Sequence, residues 1–309
     1  MLMEKYPQVY ERMAVGLVGQ GSECFGFDDE LSTDHDFGPG FCIWLNQQDF
    51  QEVGIRIMMD YERLPGEFMG MPARTATAQG GGRVGVHEIG NFYQNFIGSP
   101  KVPEKPLEWL YIPESYLATA TNGRVFVDNL GEFSEIRGKL LEFYPEDVRI
   151  KKIAARAAVM AQSGQYNYAR LMKRGEYVGA SLALSEFVKN TISMVHLLNK
   201  EYTPFYKWAF HSMAALPKVT QVRDKLNQLV GMEFQKEAWK DVKPQEYVFD
   251  LNTADKKVNL IEDICGCVVK ELQEQGLTDR TDDFLENHTQ EIMKRIQDES
   301  IRSRHVMEG

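Results

Sequence analysis

Short apolar runs separated by glycine-bearing turns dominate the first part of the chain. Segments 14–18, 41–45, 83–87 and 124–128 have the length and the β-branched or aromatic content of strands, which predicts a small mixed sheet. Between them, 49–62 and 88–97 carry apolar residues at helical spacing and are expected to pack on that sheet. Segment 64–82 follows neither period. It contains Pro65, Pro72 and the run Gly80-Gly81-Gly82, and it is expected to be a long loop. At Tyr144-Pro145-Glu146-Asp147 the rhythm changes, because proline followed by acidic residues suits the first turn of a helix. Helix-period sequence then fills 148–162, 175–199, 205–215, 219–232, 257–275 and 281–302, with no repeat of fixed period. The expected architecture is α+β: a sheet-and-helix domain over 1–143, followed by an α-helical bundle over 144–309.

Composition narrows the classes of partner. The 309 residues are enough for two domains, and 43% hydrophobic against 26% charged residues is an ordinary globular balance. A net charge of -10 without a basic run disfavours duplex nucleic acid, whereas a nucleotide with cation-chelated phosphates stays compatible. Cys24, Cys42, Cys265 and Cys267 form no disulfide framework, which points to a reducing compartment. The pair Cys265-Gly266-Cys267 lies in an apolar helical stretch and reads as buried thiols. The first twenty residues lack the apolar core of a signal peptide, and no run of 18 apolar residues occurs, so a cytoplasmic chain without a membrane partner is expected.

The stretch with chemical content is Val18-Gly19-Gln20-Gly21-Ser22-Glu23-Cys24-Phe25-Gly26-Phe27, continuing to Asp34-His35-Asp36-Phe37-Gly38. An apolar strand runs into Gly21-Ser22, and two carboxylates follow after eleven intervening residues. Glycine at 21 lets the backbone approach a phosphate, and the Ser22 hydroxyl with nearby amides can hold the terminal phosphates of a nucleotide. On a strand, Asp34 and Asp36 would face the same side, a pair of hard oxygen donors suited to magnesium. Cations there would bridge the phosphates and neutralise charge as pyrophosphate leaves. A third carboxylate on a neighbouring strand would help to hold a second ion and act as general base.

Gly-Ser, a spacer of about ten residues and Asp-x-Asp resemble the active-site pattern of the DNA polymerase beta-like nucleotidyltransferase superfamily. The fuller wording, Gly-Ser-Glu-Cys-Phe-Gly-Phe-Asp-Asp-Glu with Asp-His-Asp-Phe-Gly-Pro-Gly, resembles a bacterial family of nucleotidyltransferase-like proteins. The likeness continues through Gly123-Arg124-Val125-Phe126-Val127-Asp128, Gly164-Gln165-Tyr166-Asn167-Tyr168 and Tyr202-Thr203-Pro204-Phe205-Tyr206-Lys207-Trp208. It implies an N-terminal catalytic domain that binds nucleotide and metal, and a helical domain that receives the acceptor. Gly21 and Ser22 would then bind nucleotide, while Asp34 and Asp36 would ligate Mg2+, two ions in all, with Mn2+ as a substitute. The expected reaction moves a nucleoside monophosphate, AMP by preference, from a nucleoside triphosphate such as ATP to a small hydroxyl acceptor. Asp128, which ends the strand-like 124–127, is the first choice for the third carboxylate. Relatives often place that group on an earlier strand, here 83–88, where His87 and Glu88 stand instead. Here His35 fills the middle of Asp-x-Asp, a position that is commonly apolar.

Other readings compete. Gly19-Gln20-Gly21 lacks the third glycine of a dinucleotide fingerprint, since Cys24 stands there. Gln165, Tyr166, Asn167 and Arg170 form a polar and aromatic cluster that either contacts base or triphosphate or is an ordinary helix end. The alternatives to an enzyme acting on a small acceptor are a nucleotide-binding module without turnover and a toxin-like enzyme modifying RNA or protein.

Overall fold

The computed structural model describes residues 2–33, 37–72, 74, 82–240 and 251–309. Its strands are β1 (Ala14–Leu17), β2 (Cys42–Leu45), β3 (Glu67–Phe68), β4 (Met71–Pro72), β5 (Gly85–Glu88) and β6 (Arg124–Asp128). The helices up to residue 143 are α1 (Leu2–Lys5), α2 (Pro7–Tyr10), α3 (Ser22–Phe25), α4 (Gln47–Glu62), α5 (Ile89–Ile97), α6 (Pro106–Leu110), α7 (Glu114–Thr121) and α8 (Glu132–Leu141). After it come α9 (Glu146–Met160), a π-helical stretch (Ala161–Tyr168), α10 (Ala169–Lys173), α11 (Tyr177–Leu198), α12 (Tyr206–Ser212), α13 (Gln221–Gly231), α14 (Lys256–Glu274), α15 (Glu286–Lys294) and α16 (Glu299–Arg302). The chain is thus mixed α/β, with a small four-stranded sheet, a two-stranded hairpin and many helices among the described residues. It divides into two compact units, Met1–Glu104 with Ile112–Phe143, and Lys105–Tyr111 with Tyr144–Gly309.

In the first unit the sheet order is β5-β2-β1-β6, with β1 antiparallel to β2 and β6, and β5 parallel to β2. Every residue of β2 is buried, so this strand is covered on both faces. Successive side chains on a strand alternate between faces. Ile43 and Leu45 join Met13, Ile57 and Val86 in a core that Tyr6, Val9, Phe50 and Val53 extend. Trp44 points the other way, stacking on Phe133 of α8 at 4.0 Å and meeting Phe92 of α5 edge-on at 5.4 Å. The segment 64–82, read from sequence as a plain loop, contains the small hairpin β3-β4.

The second unit is built around α9, which is buried on most of its circumference. Two of its cations, Arg149 and Lys151, are buried with oxygen partners. Arg149 holds Glu146, the Leu197 carbonyl and Gln275. Lys151 donates to the carbonyls of His305, Val306 and Glu308 at 2.7, 3.0 and 2.6 Å, and burial pulls its ammonium down to about 8. The helix expected over 281–302 is broken into α15 and α16. Asp147 accepts the backbone N–H of Gln297 and Asp298 in the break, and Asp298 caps α16 through Ser300 N at 2.8 Å. Among the described residues, no helix is long and apolar enough to cross a membrane.

Asp49 ties α4 to the segment before β1. Its carboxylate is buried and takes Arg12 Nε at 2.9 Å and Nη2 at 2.6 Å, while Asn46 Nδ2 donates at 3.0 Å. Arg12 holds the carboxyl below the usual carboxylate range. A carboxyl depressed in the folded state contributes stability above about pH 4 and loses it as pH falls further. Asp49→Asn should therefore show a shallower fall of melting temperature below about pH 4 than the wild type. Equal acid slopes in thermal melts would remove Asp49 from the acid sensitivity.

Candidate functional site

The register of the sheet determines which residues meet at its ends. Gly16 lies opposite Cys42, Leu17 opposite Arg124, and Cys42 opposite Gly85. The C-terminal end of β1 and the N-terminal ends of β2, β5 and β6 therefore share one end of the sheet. There the chain leaves β1 through Val18 and turns at Gly19 to Ser22. Gly19 and Gly21 have φ of 132° and 128°, a backbone region that side chains disfavour. The turn is clamped from the β6 side. Asn122 Oδ1 accepts from Gly19 N at 2.9 Å and its Nδ2 donates to Gly19 O at 2.8 Å. Gly123, with φ of 65°, passes so close to β1 that a Cβ would collide with the Leu17 carbonyl oxygen. Arg137 Nη2 then donates to the carbonyls of Thr121, Asn122 and Gly123.

Over this turn lies an ion pair between a half-buried carboxylate and a buried guanidinium. The Glu23 carboxylate folds back against Gly21, where a Cβ would run into it. It accepts from Arg74 Nη1 at 2.7 Å, with the two side chains 24% and 7% exposed respectively. Arg74 also abuts Gly38, since a Cβ there would lie 2.9 Å from Arg74 N. One residue thus touches both Glu23, directly after Ser22, and Gly38, two residues beyond Asp36. Arg74 Nη2 is buried and has no hydrogen-bond partner among the described residues. Burial pushes the Cys42 thiol up to about 11 and Cys24 higher still, so neither supplies a thiolate at neutral pH.

The sequence-derived residues fall in different places. Gly21 and Ser22 form the turn, and the Ser22 hydroxyl has no partner among the described residues. Asp34 and Asp36, with His35 between them, lie outside the described residues. Asp128 pairs with Ala14 at the start of β1, about 10 Å along the strand from Leu17. Both its oxygens are engaged at the N-terminus of α8, from Gly131 N at 3.0 Å and Ser134 N at 2.8 Å. The expectation that Asp128 joins Ser22 is corrected: it is a helix cap at the far end of the sheet. Glu88 stands at that same far end and caps α5 through Gly90 N and Asn91 N. His87, opposite Trp44, is depressed by burial alone. Among the described residues no group of three His, Cys, Asp or Glu side chains is placed to hold a metal ion.

The cluster after Gly164 is likewise reassigned in part. Gln165 Nε2 donates to Glu262 at 2.6 Å and to the Asp283 carbonyl at 2.9 Å, while its Oε1 accepts from Leu285 N at 3.0 Å. Its amide is fully used inside the second unit and is not presented to a ligand. Tyr166 is exposed and paired with Arg170, whose guanidinium lies 4.6 Å from the ring centroid. Asn167 is half-buried beside them. Sequence reading missed Glu23, Arg74 and Asn122. Arg74 is the lone basic residue of 64–82, a visible signal whose partner no local pattern reveals.

Three substitutions test this account. Gly123→Ala should destabilise the first unit by more than about 2 kcal/mol, through strain and displacement of β1. Asn122→Ala, losing both bonds to Gly19, should cost about 1–3 kcal/mol. Gln165→Ala should cost a similar amount, about 1–3 kcal/mol, in the second unit. Urea denaturation reads all three, and midpoints unchanged from wild type would contradict the contacts described.

In comparison with known proteins, the family described as "Domain of unknown function (DUF4037)" matches residues 109–209. That span includes Asn122, Gly123 and the π-helical stretch, and excludes Gly21, Glu23 and Arg74. No curated protein and no solved structure matches the chain.

Proposed function

We propose that the chain is a metal-dependent nucleotidyltransferase that moves a nucleoside monophosphate from a nucleoside triphosphate to a hydroxyl acceptor. The observation that carries this reading is that one residue, Arg74, contacts both Glu23, next to the Gly21-Ser22 turn, and Gly38, two residues beyond Asp36. In this reading the glycine backbone and the Ser22 hydroxyl hold the terminal phosphates, and Asp34 and Asp36 supply carboxylate oxygens. Magnesium bound by those oxygens would neutralise charge on the departing pyrophosphate. Hard carboxylates suit that ion, whereas soft thiols such as Cys24 and Cys42 do not. The acceptor is proposed as a small hydroxyl compound, in keeping with the net charge of -10.

A second reading, a nucleotide-binding module without turnover, is favoured by a specific feature. Asp128 and Glu88, the two acids considered for the third position, both cap helices at the opposite end of the sheet.

One assay separates the two. Wild type, Asp34→Ala and Asp36→Ala are incubated with each labelled nucleoside triphosphate, magnesium and a cell extract. Transfer of label by wild type, abolished in both variants while thermal melts stay unchanged, supports the enzyme. Ser22→Ala should retain activity at about a tenfold lower kcat/KM. Nucleotide binding without pyrophosphate release supports the module. Equal labelling by wild type and both aspartate variants refutes the assignment.

A further inference from the structure

Glu23 and Arg74 have no part in the transfer as drawn above, yet they lie directly over the turn that it uses. Three observations belong together. The Glu23 carboxylate rests against Gly21, in space that any side chain at 21 would fill. Arg74, more than nine-tenths buried, grips that carboxylate with Nη1 alone. Its Nη2 is buried as well and has no partner among the described residues. A guanidinium offers parallel N–H donors that match a carboxylate or a phosphate in bidentate fashion. Leaving one donor unfilled in a buried place costs stability that a better-fitting anion would recover. A phosphate group brings more charge than a carboxylate and enough oxygens to fill both donors. The absence of a Cβ at 21 leaves room for it against the backbone.

We infer that the Glu23 carboxylate is a built-in stand-in for a phosphate group, held over Gly21 by Arg74 and displaced when the polyphosphate of a nucleotide enters. This rests on the phosphate-holding role given above to the Gly21-Ser22 turn. The free protein then carries its own competitor. Any anion must first expel Glu23, so apparent affinity is lower than the site could deliver, by the fraction of time that the site is open. Glu23 also keeps a buried guanidinium from standing uncompensated in the unliganded state. The ligand class is a di- or triphosphate chain. Selectivity against singly charged anions follows, because a carboxylate or chloride gains little over the resident group.

The test is calorimetric titration of the full chain with inorganic tripolyphosphate, without divalent cation, and separately with magnesium ATP. The proteins are wild type, Glu23→Gln, Arg74→Gln and the double variant, each checked by thermal melt. Glu23→Gln is expected to bind tripolyphosphate about tenfold more tightly than wild type, a gain that misfolding does not produce. Arg74→Gln is expected to bind at least about tenfold more weakly, and the double variant, which replaces the ion pair with two neutral amides, should behave like Arg74→Gln. Binding by Glu23→Gln equal to or weaker than wild type overturns the inference, as does failure of all four proteins to bind tripolyphosphate. Weaker magnesium ATP binding by Glu23→Gln would make Glu23 a cation ligand instead, which also overturns it. The outcomes are separable from those of the transferase assay. Active enzyme with unaltered Glu23→Gln affinity sinks the stand-in alone, and tight tripolyphosphate binding without label transfer sinks the transferase alone.

Discussion

The first unit depends on how closely two backbones run at Gly16. A Cβ at this position would lie 2.5 Å from the Arg124 carbonyl oxygen and 2.9 Å from Val125 Cα. The pairing of β1 with β6 shifts between Val15 and Gly16, so the strands meet where a side chain would part them. Gly123 repeats the constraint one step further along, under the Leu17 carbonyl. With β6 held that close, Asn122 reaches Gly19 and sets where the chain leaves the sheet. The site is thus positioned by main chain against main chain. Glu23, which follows the turn directly, is carried by it, and Arg74 reaches that carboxylate from 51 residues away.

Electrostatically, the molecule illustrates the difference between net and local charge. A chain at -10 would repel a triphosphate at long range, but salt screens that repulsion within about 10 Å. A buried guanidinium acts at contact distance, where solvent weakens it least. The second unit handles buried charge in its own way. Lys151 and Arg149 of α9 meet backbone carbonyls and side-chain oxygens, which makes cations into braces for distant segments.

Much of the fold was legible because periodicity is local. The four strands of the sheet and the long helices follow from alternation or helical spacing. What escaped depends on partners distant in sequence. Helix α7 is rich in alanine and threonine and shows no clear apolar stripe, and without α7 and α8 the sequence hides the role of Asp128. Once a helix begins at Glu132, an aspartate four residues earlier is a natural cap, and a strand-end carboxylate no longer implies a metal. Gln165 lies in helix-like sequence whose fate depends on Glu262, Asp283 and Leu285. The Gly21-Ser22 turn was readable from an apolar strand meeting glycine. The ion pair above it was not, because 51 residues separate Glu23 from Arg74.

The excursion of Lys105–Tyr111 into the second unit bears on how the protein can be dissected. Trp109 meets Tyr144 edge-on at 6.1 Å, and the Tyr111 hydroxyl donates to Glu308 at 3.0 Å, so α6 is part of the helical core although it precedes the last strand of the sheet. A truncation at residue 144 would strip the helical half of a tryptophan it packs around. The complementary N-terminal fragment would carry that same indole with nothing to cover it, an apolar surface prone to self-association. Either half made alone by a single cut would misbehave for reasons unrelated to its own sequence. Independent expression calls for grafting or circular permutation rather than simple shortening.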